Sequence, residues 1–153
     1  FSIRYPHVSP QAACVYLTLA IIAEANKHGI RLVPQAGTAL WPRVRPEQDD
    51  GVSSTHFGYE WHKDEAEINI AKGVFPEIHV WAGDPERQEL VDISTWAFPA
   101  QCANLIRCSW PGDKPPRYFW GGIGDLPSEV VYRPDRDATV FAVHMMTRIA
   151  RGA

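Results

Sequence analysis

The sequence predicts an α+β fold, and three observations carry that prediction. Two stretches, one near each end of the chain, have helix start and stop signals. Between them lie several runs with strand periodicity. Two of those runs are joined directly by turn chemistry, which makes them antiparallel. The 153 residues suffice for one domain with a real core, so residues 1–153 read as a single unit. No internal repeat or low-complexity segment divides them.

Residues 1–8 read as an extended lead-in, since Pro6 disfavours helix before it. Ser9 is suited to N-cap a helix and Pro10 to open it, while Gly29 stands where a C′ glycine belongs. The spacing predicts a helix over 10–28. Its apolar residues, among them Ala13, Val15, Leu17, Ala20, Ile22 and Ala23, go round the whole circumference, as in a buried helix. Residues 30–35 read as a strand that Gly37 breaks, and a second strand resumes over 38–44 with Pro42 marking an edge or a bend. Residues 46–54 form an acidic loop. Over 57–62, Phe57, Tyr59 and Trp61 alternate with Gly58, Glu60 and His62, giving a strand with one aromatic face. Residues 63–73 fit either a helical turn or a loop. The clearest strands are 77–82 and 88–93, joined by Gly83-Asp84-Pro85-Glu86-Arg87 as a hairpin. A short helix is expected after Pro99, an aromatic loop over 110–124, and a short strand over 129–133. A second helix spans 137–151, capped by Asp135 or Asp137 and ended by Gly152, with Val140, Phe141, His144, Met145 and Ile149 as its apolar stripe.

Apolar residues make up 45% of the chain and charged ones 22%, the balance of an ordinary globular protein. The net charge of −3 provides no basic field for nucleic acid or anionic lipid. The longest apolar run, 12–23, is too short to span a bilayer. No secretory leader is read at the N-terminus. The chain starts with Phe1 rather than Met, so a trimmed or partial chain is the expectation. Three cysteines form no disulfide framework, which makes a reduced, cytoplasmic setting the expectation. Cys102 and Cys108 are six apart, match no zinc-ligand spacing, and read as core thiols. No cofactor motif is present, because Gly121-Gly122-Ile123-Gly124 lacks the Lys-Ser/Thr of a phosphate loop.

The hairpin brings chemistry together. A turn centred between Pro85 and Glu86 sets Gly83 opposite Gln88, Trp81 opposite Leu90 and His79 opposite Asp92. Directly opposed residues have Cβ atoms roughly 4.5–5.5 Å apart on one face. An imidazole and a carboxylate would therefore touch, and the carboxylate would fix the ring's tautomer and favour its charged form. The other face, with Ile78, Val80, Val91 and Ile93, is apolar and core-facing. A one-residue slip would separate the pair. Cys14 lies in the first turn of the first helix, where the macrodipole favours thiolate and a neighbouring imidazolium lowers a thiol from about 8.5 toward roughly 3.5–7.5. On that helix Cys14 aligns with Leu17, Thr18, Ile21, Ile22 and Ala25. If this stripe packs on the His79/Asp92 side of the hairpin, the thiol meets the imidazole as nucleophile, base and orienter.

Three segments resemble the transglutaminase-like branch of the papain-like cysteine peptidase superfamily. These are Ala13-Cys14 opening a helix that runs on to Gly29-Ile30-Arg31-Leu32-Val33, the strand His79-Val80-Trp81, and Leu90-Val91-Asp92-Ile93-Ser94-Thr95. They occur in the family's order and span residues 11–95. The resemblance implies a papain-like fold with an N-terminal catalytic helix packed on an antiparallel sheet. It implies Cys14 as nucleophile, His79 as general base and Asp92 as its orienter, with Gln11 and Trp81 at the substrate or oxyanion side. The papain-type oxyanion glutamine lies six residues before the cysteine, where this chain has Val8; Gln11 is three before. The Arg-Gly-Gly-x-Cys pattern of the arylamine acetyltransferases is absent, and the acidic, aromatic segment between Arg45 and Val74 has no counterpart in the pattern.

The expected activity is therefore a cysteine-dependent hydrolase or acyltransferase acting on an amide, peptide or thioester carbonyl, without metal or cofactor. Its partner is an amide or acyl small molecule or a peptide. The alternative is a catalytically inactive binding or scaffold domain that keeps the fold. A third, weaker possibility is a metal site built on His56 and His62, which share a face if their strand is continuous.

Overall fold

The computed structural model describes residues 12–48, 51 and 54–152. The lead-in and the expected cap at Ser9 and Pro10 lie outside them. Helix α1 (Ala13–Lys27) follows Ala12, which has helical backbone angles and makes no side-chain cap bond. Its other end is as expected: Gly29 is left-handed at φ +71°, and the N–H groups of His28, Gly29 and Ile30 return to the carbonyls of Ala25 and Asn26. The helix is not buried all round. Cys14, Val15, Thr18 and Ala25 are buried, whereas Ala20 and Ala23 face outward. Alanine is chosen for helix propensity as readily as for burial, so alanines completing an apolar circumference are no sign of a covered face.

Strand β1 (Val33–Pro42) runs unbroken through Gly37, so the two expected strands are one. The glycine answers a packing demand instead: a Cβ there would strike the carbonyl oxygen of Arg133 and the amide of Asp135. Strand β2 (His56–Tyr59) ends at Tyr59, and the segment read as turn or loop is helix α2 (Lys63–Ala71). Trp61 therefore leaves the aromatic face and packs with the opposite cluster. Strands β3 (His79–Asp84) and β4 (Glu89–Asp92) form the hairpin. Helix α3 (Phe98–Gln101) runs into a π-helical turn, Cys102–Ile106. The expected aromatic loop contains strand β5 (Phe119–Gly122), followed by β6 (Val131–Pro134) and helix α4 (Arg136–Ala150). Asp135 caps α4 by accepting from the Ala138 amide at 3.0 Å.

All strand pairings are antiparallel, along the path β2-β1-β3-β4-β5 with β6 also on β1. Gly37 pairs with both His79 and Pro134, and Ala39 with both Tyr59 and Tyr132. Strand β1 thus holds β3 along its first half, β2 along its second, and β6 in the middle.

The sheet has two covered faces. On one, Ala36, Val80, Ala82 and Val91 meet α1 and α4. Thr18 Oγ1 donates to the Val80 carbonyl at 3.0 Å, and Thr139 Oγ1 accepts from the Ala36 amide at 3.0 Å, tying each helix to a strand. The buried stripe of α4 is Ala138, Ala142 and Met146, flanked by Phe141, Met145 and Ile149. Val140 and His144, assigned to that stripe from the sequence, are exposed. The buried line on α4 runs through Ala138 and Ala142, next to β1, and ends in the larger Met146. On the other face, Ala39, Trp41, Phe57, Tyr59, Trp81, Leu90 and Tyr132 pack against Phe98 and Cys102. No helix among the described residues is long and apolar enough to cross a membrane.

Gly58 tests the β1–β2 register, because a Cβ there would overlap the Ala39 carbonyl oxygen. Gly58→Ala is expected to cost about 3 kcal/mol or more, seen as a lower urea midpoint. Gly29→Ala, with open space around it but left-handed backbone, is the control and should cost about 1 kcal/mol. Equal or smaller loss at Gly58 would contradict the register.

Candidate active site

The hairpin register differs from expectation in an instructive way. The paired residues are Ala82–Val91, Gly83–Leu90 and Asp84–Glu89. The turn is centred one residue later, between Glu86 and Arg87, so each partner moves by two residues. Asp84 sets this turn: its Oδ1 accepts from the amides of Glu86 at 2.9 Å and Arg87 at 3.0 Å. A shift by two keeps parity, so His79 and Asp92 still share a face and meet diagonally instead of squarely.

The meeting is close. His79 Nε2 and Asp92 Oδ2 are 2.6 Å apart, with the two residues 0% and 1% exposed. Asp92 has three further donors. The Tyr132 hydroxyl gives to Oδ2 at 2.7 Å, and the Ser94 amide and hydroxyl give to Oδ1 at 2.9 and 2.7 Å. Trp41 Nε1 in turn donates to the Tyr132 oxygen at 3.2 Å. A carboxylate so supplied stays ionised, and as an acceptor only it requires the proton on Nε2. The ring is also caged. Tyr59 and Trp81 stack on it with centroids at 6.1 Å and interplanar angles of 7° and 22°, and Phe98 meets it edge-on at 5.1 Å.

Cys14 reaches this pair by a route the sequence did not suggest. Helix α1 covers the Val80/Ala82/Val91 face, not the face that carries His79. Yet Cys14 is in the first turn of α1 and His79 is the first residue of β3. The thiol therefore meets the ring at the end of the strand. A crevice there is lined by Ala13, Cys14, Tyr59, His79, Ser94, Phe98 and Gln101. Among the described residues Nδ1 of His79 makes no hydrogen bond of ordinary geometry, and the Cys14 side chain interacts with the ring. Nε2 belongs to Asp92, so Nδ1 is the ring atom left to the thiol.

Burial opposes charge on His79. The attraction and hydrogen bond of Asp92, and then those of Cys14, outweigh it and raise the imidazole to about 10. Asp92 likewise feels burial pushing its pKa up, but His79, Ser94 and Tyr132 together hold it below its ordinary 3.8. Burial, then the charge of Cys14 and of Glu77, raise Tyr59 far above the usual phenol range, so its hydroxyl stays a donor. That hydroxyl donates to Gln101 Oε1 at 2.9 Å.

Of the residues read from the sequence, Cys14, His79 and Asp92 come together. Gln11 lies outside the described residues. Trp81 was expected at the substrate side; it is 1% exposed, donates from Nε1 to Gln35 Oε1 at 2.9 Å, and its contact is with the histidine rather than with the crevice. The third, weaker possibility of a metal site on His56 and His62 finds no such pair among the described residues. His56 spends its ring nitrogens on Thr55 Oγ1 and the Glu129 carbonyl, while His62 lies past the end of β2, at the start of α2. Among the described residues no group of three or more His, Cys, Asp or Glu side chains converges as a metal site. Sequence reasoning missed Ser94, Tyr132, Tyr59 and Gln101. Ser94 was findable, since Asp-x-Ser is a local pattern in which the carboxylate accepts from the amide two residues on. The other three depend on long-range packing.

Comparison with protein-family models, with curated proteins and with solved structures gave no match.

Two outcomes follow for stability. The His79 contribution is complete below its unfolded pKa of about 6.5 and is lost as pH rises toward about 10; the Asp92 contribution is lost as pH falls below 3.8. The pair therefore stabilises most between about pH 4 and 6.5, with an alkaline slope of up to about 1.4 kcal/mol per pH unit that Asp92→Asn flattens in urea titrations. Tyr132→Phe, which removes one donor from a buried carboxylate, should cost about 1–3 kcal/mol by the same method.

Proposed function

We propose that the protein is a cysteine-dependent hydrolase or acyltransferase acting on an amide, peptide or thioester carbonyl, in a domain related to the transglutaminase-like branch of the papain-like fold. One observation carries this reading: a buried Asp92–His79 pair leaves Nδ1 for a thiol in the first turn of a helix. Segment order (α1 before the His and Asp strands) and the packing of α1 on an antiparallel sheet support the likeness.

In this reading Cys14 and His79 react as a thiolate–imidazolium pair. The Cys14 sulfur attacks the carbonyl carbon, and the C=O π pair moves to oxygen. The first turn of α1, the positive end of that helix, supplies electrostatic stabilisation to the developing negative charge. As the intermediate collapses, the C=O bond re-forms and the bond to the leaving group breaks. The departing amine, alkoxide or thiolate takes the proton from Nδ1. Water or an amine then attacks the thioester, Nδ1 accepts its proton, and the Cys14 thiolate leaves. Asp92 keeps Nε2 protonated throughout, which keeps Nδ1 as the exchanging site.

The substrate side is mostly apolar, with Asn69 and Glu77 also in its lining. A cleft of about 310 Å³, walled by Phe57, Val74, Phe75, Ile78, Leu105 and Ile106, shares Tyr59 with the crevice of Cys14. Its shape suits an acyl chain or an apolar side chain next to the scissile carbonyl.

A second reading has an observation in its favour. The space beside the thiol is only about 10 Å³, room for one water at most. That tightness favours a catalytically silent domain that keeps the fold and binds through its cleft.

Thiol alkylation tests the proposal. At about pH 6, iodoacetamide should modify Cys14 at least about tenfold faster in the native protein than in His79→Gln, with Asp92→Asn in between. Peptide mapping uses Cys102 as the internal reference, since burial raises that thiol. Cys14 reactivity indifferent to His79→Gln would overturn the reading. An ester series tests the cleft: acylation of Cys14 by p-nitrophenyl octanoate should exceed that by the acetate, and Leu105→Glu should remove the advantage. A Cys14 that alkylates but accepts no acyl group from any ester supports the silent domain instead.

A further inference from the structure

Two of the three cysteines take no part in the chemistry of Cys14, yet the fold sets them against each other. Cys102 and Cys108 bracket the π-helical turn Cys102–Ile106. The turn ends on Arg107, which is left-handed at φ +55°. The Arg107 N–H returns to the Cys102 carbonyl, and the Cys108 N–H follows to the same oxygen at 3.4 Å. This is a Schellman ending widened by the extra residue of a π turn. We infer that Cys102 and Cys108 are a redox pair, which hydrogen peroxide closes to a reversible disulfide that pins one wall of the apolar cleft.

Backbone spacing and side-chain direction both support the pair. A hydrogen bond between two backbones brings their Cα atoms to roughly 5–7 Å, and a disulfide spans about 4.4–6.8 Å. A Schellman ending also turns the side chains at its two ends toward each other, where an apolar contact is usual. Here both ends are cysteines. Cys108 is half-buried and packs against the cluster that holds Cys102 at 0% exposure. Their proximity has an electrostatic sign as well: after burial, the charge of Cys108 is the next influence raising the Cys102 thiol. The Cys108 thiol now donates to the Ile106 carbonyl at 3.4 Å, a weak bond that one side-chain rotation gives up.

Cys108 is the more exposed thiol and reacts first. Its thiolate sulfur attacks one oxygen of the peroxide. The S–O bond forms, the O–O bond breaks, and the departing hydroxide takes a proton to become water. The Cys102 sulfur then attacks the sulfur of the Cys108 sulfenic acid. The S–S bond forms, the S–O bond breaks, and the hydroxyl leaves as water with the Cys102 proton. Two electrons have passed from the sulfurs to the peroxide, and a dithiol returns them by exchange. Leu105 and Ile106 lie between the two cysteines and line the cleft, so the bridge closes a small loop that carries part of the cleft wall.

Peptide mapping and hydrogen exchange test the inference on the whole chain. After hydrogen peroxide and blocking of the remaining thiols, trypsin cuts behind Arg107 and separates the two cysteines unless they are bridged. Most of the protein should yield one species joining residues 88–107 to 108–117, two hydrogens lighter than the two peptides together and lost on adding dithiothreitol. Amide exchange over 103–107 should slow at least about tenfold in the bridged protein. Cys108→Ser should abolish both effects, and its half-buried position keeps the test open if Cys102→Ser, which puts a hydroxyl in the core, folds poorly. Sulfinic acid at Cys108 without the linked species, or a bridge from either cysteine to Cys14, would overturn the inference. A bridge that leaves exchange over 103–107 unchanged would overturn it too, since nothing is then pinned. Dependence of Cys14 alkylation on His79 is read on the reduced protein, so these failures leave the proposed function standing.

Discussion

The buried ion pair of His79 and Asp92 is the interaction on which the rest of the structure depends. Two charged side chains with almost no exposure are costly to desolvate, and their mutual attraction offsets that cost only when the remaining lone pairs are also satisfied. The fold meets the condition with donors from three places: Ser94 just past β4, Tyr132 on β6, and His79 itself on β3. Strand β1 stands between the last two, since Gly37 pairs with His79 on one edge and Ala39 with Tyr132 on the other. The sheet's unusual sharing of β1 is therefore what brings a tyrosine from far along the chain to a carboxylate on the hairpin. Removing either member of the pair leaves the other buried without its counter-charge, the expensive case.

The same pair explains the division of labour around the thiol. A carboxylate that binds Nε2 leaves Nδ1 as the only ring atom able to exchange protons with Cys14. The aromatic cage of Tyr59, Trp81 and Phe98 holds the ring's plane. Tyr59 has a third role, since its hydroxyl fixes Gln101 while its body separates the thiol crevice from the apolar cleft. One tyrosine thus touches the histidine ring, Gln101 and both hollows.

What the sequence made legible was local. Alternation in the hairpin put His79 and Asp92 on one face, and parity survived a turn placed one residue off because Asp84 moved the centre without changing the face. Helix ends marked by Gly29 and Asp135 were readable for the same reason: cap and turn chemistry acts over a few residues. The less legible parts were set at a distance. Gly37 looked like a strand breaker because its reason for being glycine is the β6 backbone. Strand β5 passed as loop, since its pairing to β4 is the only reason for its shape. Helix α2 was ambiguous because its charged sequence has no apolar stripe to betray a buried face. Tyr132 and Gln101 carried no local signal at all, and alternation put Trp81 on the face of His79 without saying that it packs on that ring instead of lining the crevice of Cys14.

The central claim is that Cys14 and Asp92 act on opposite nitrogens of one imidazolium. Nitrogen-15 NMR of the histidine rings tests it most directly, with His79→Gln identifying the signal among the six histidines. Both ring nitrogens of His79 should carry protons at about pH 8, well above the ordinary histidine range. The ring should lose its charge only toward about 10, and Cys14→Ala should bring that transition to lower pH. A His79 that is neutral at about pH 8, with resonances that ignore Cys14→Ala, would contradict the account.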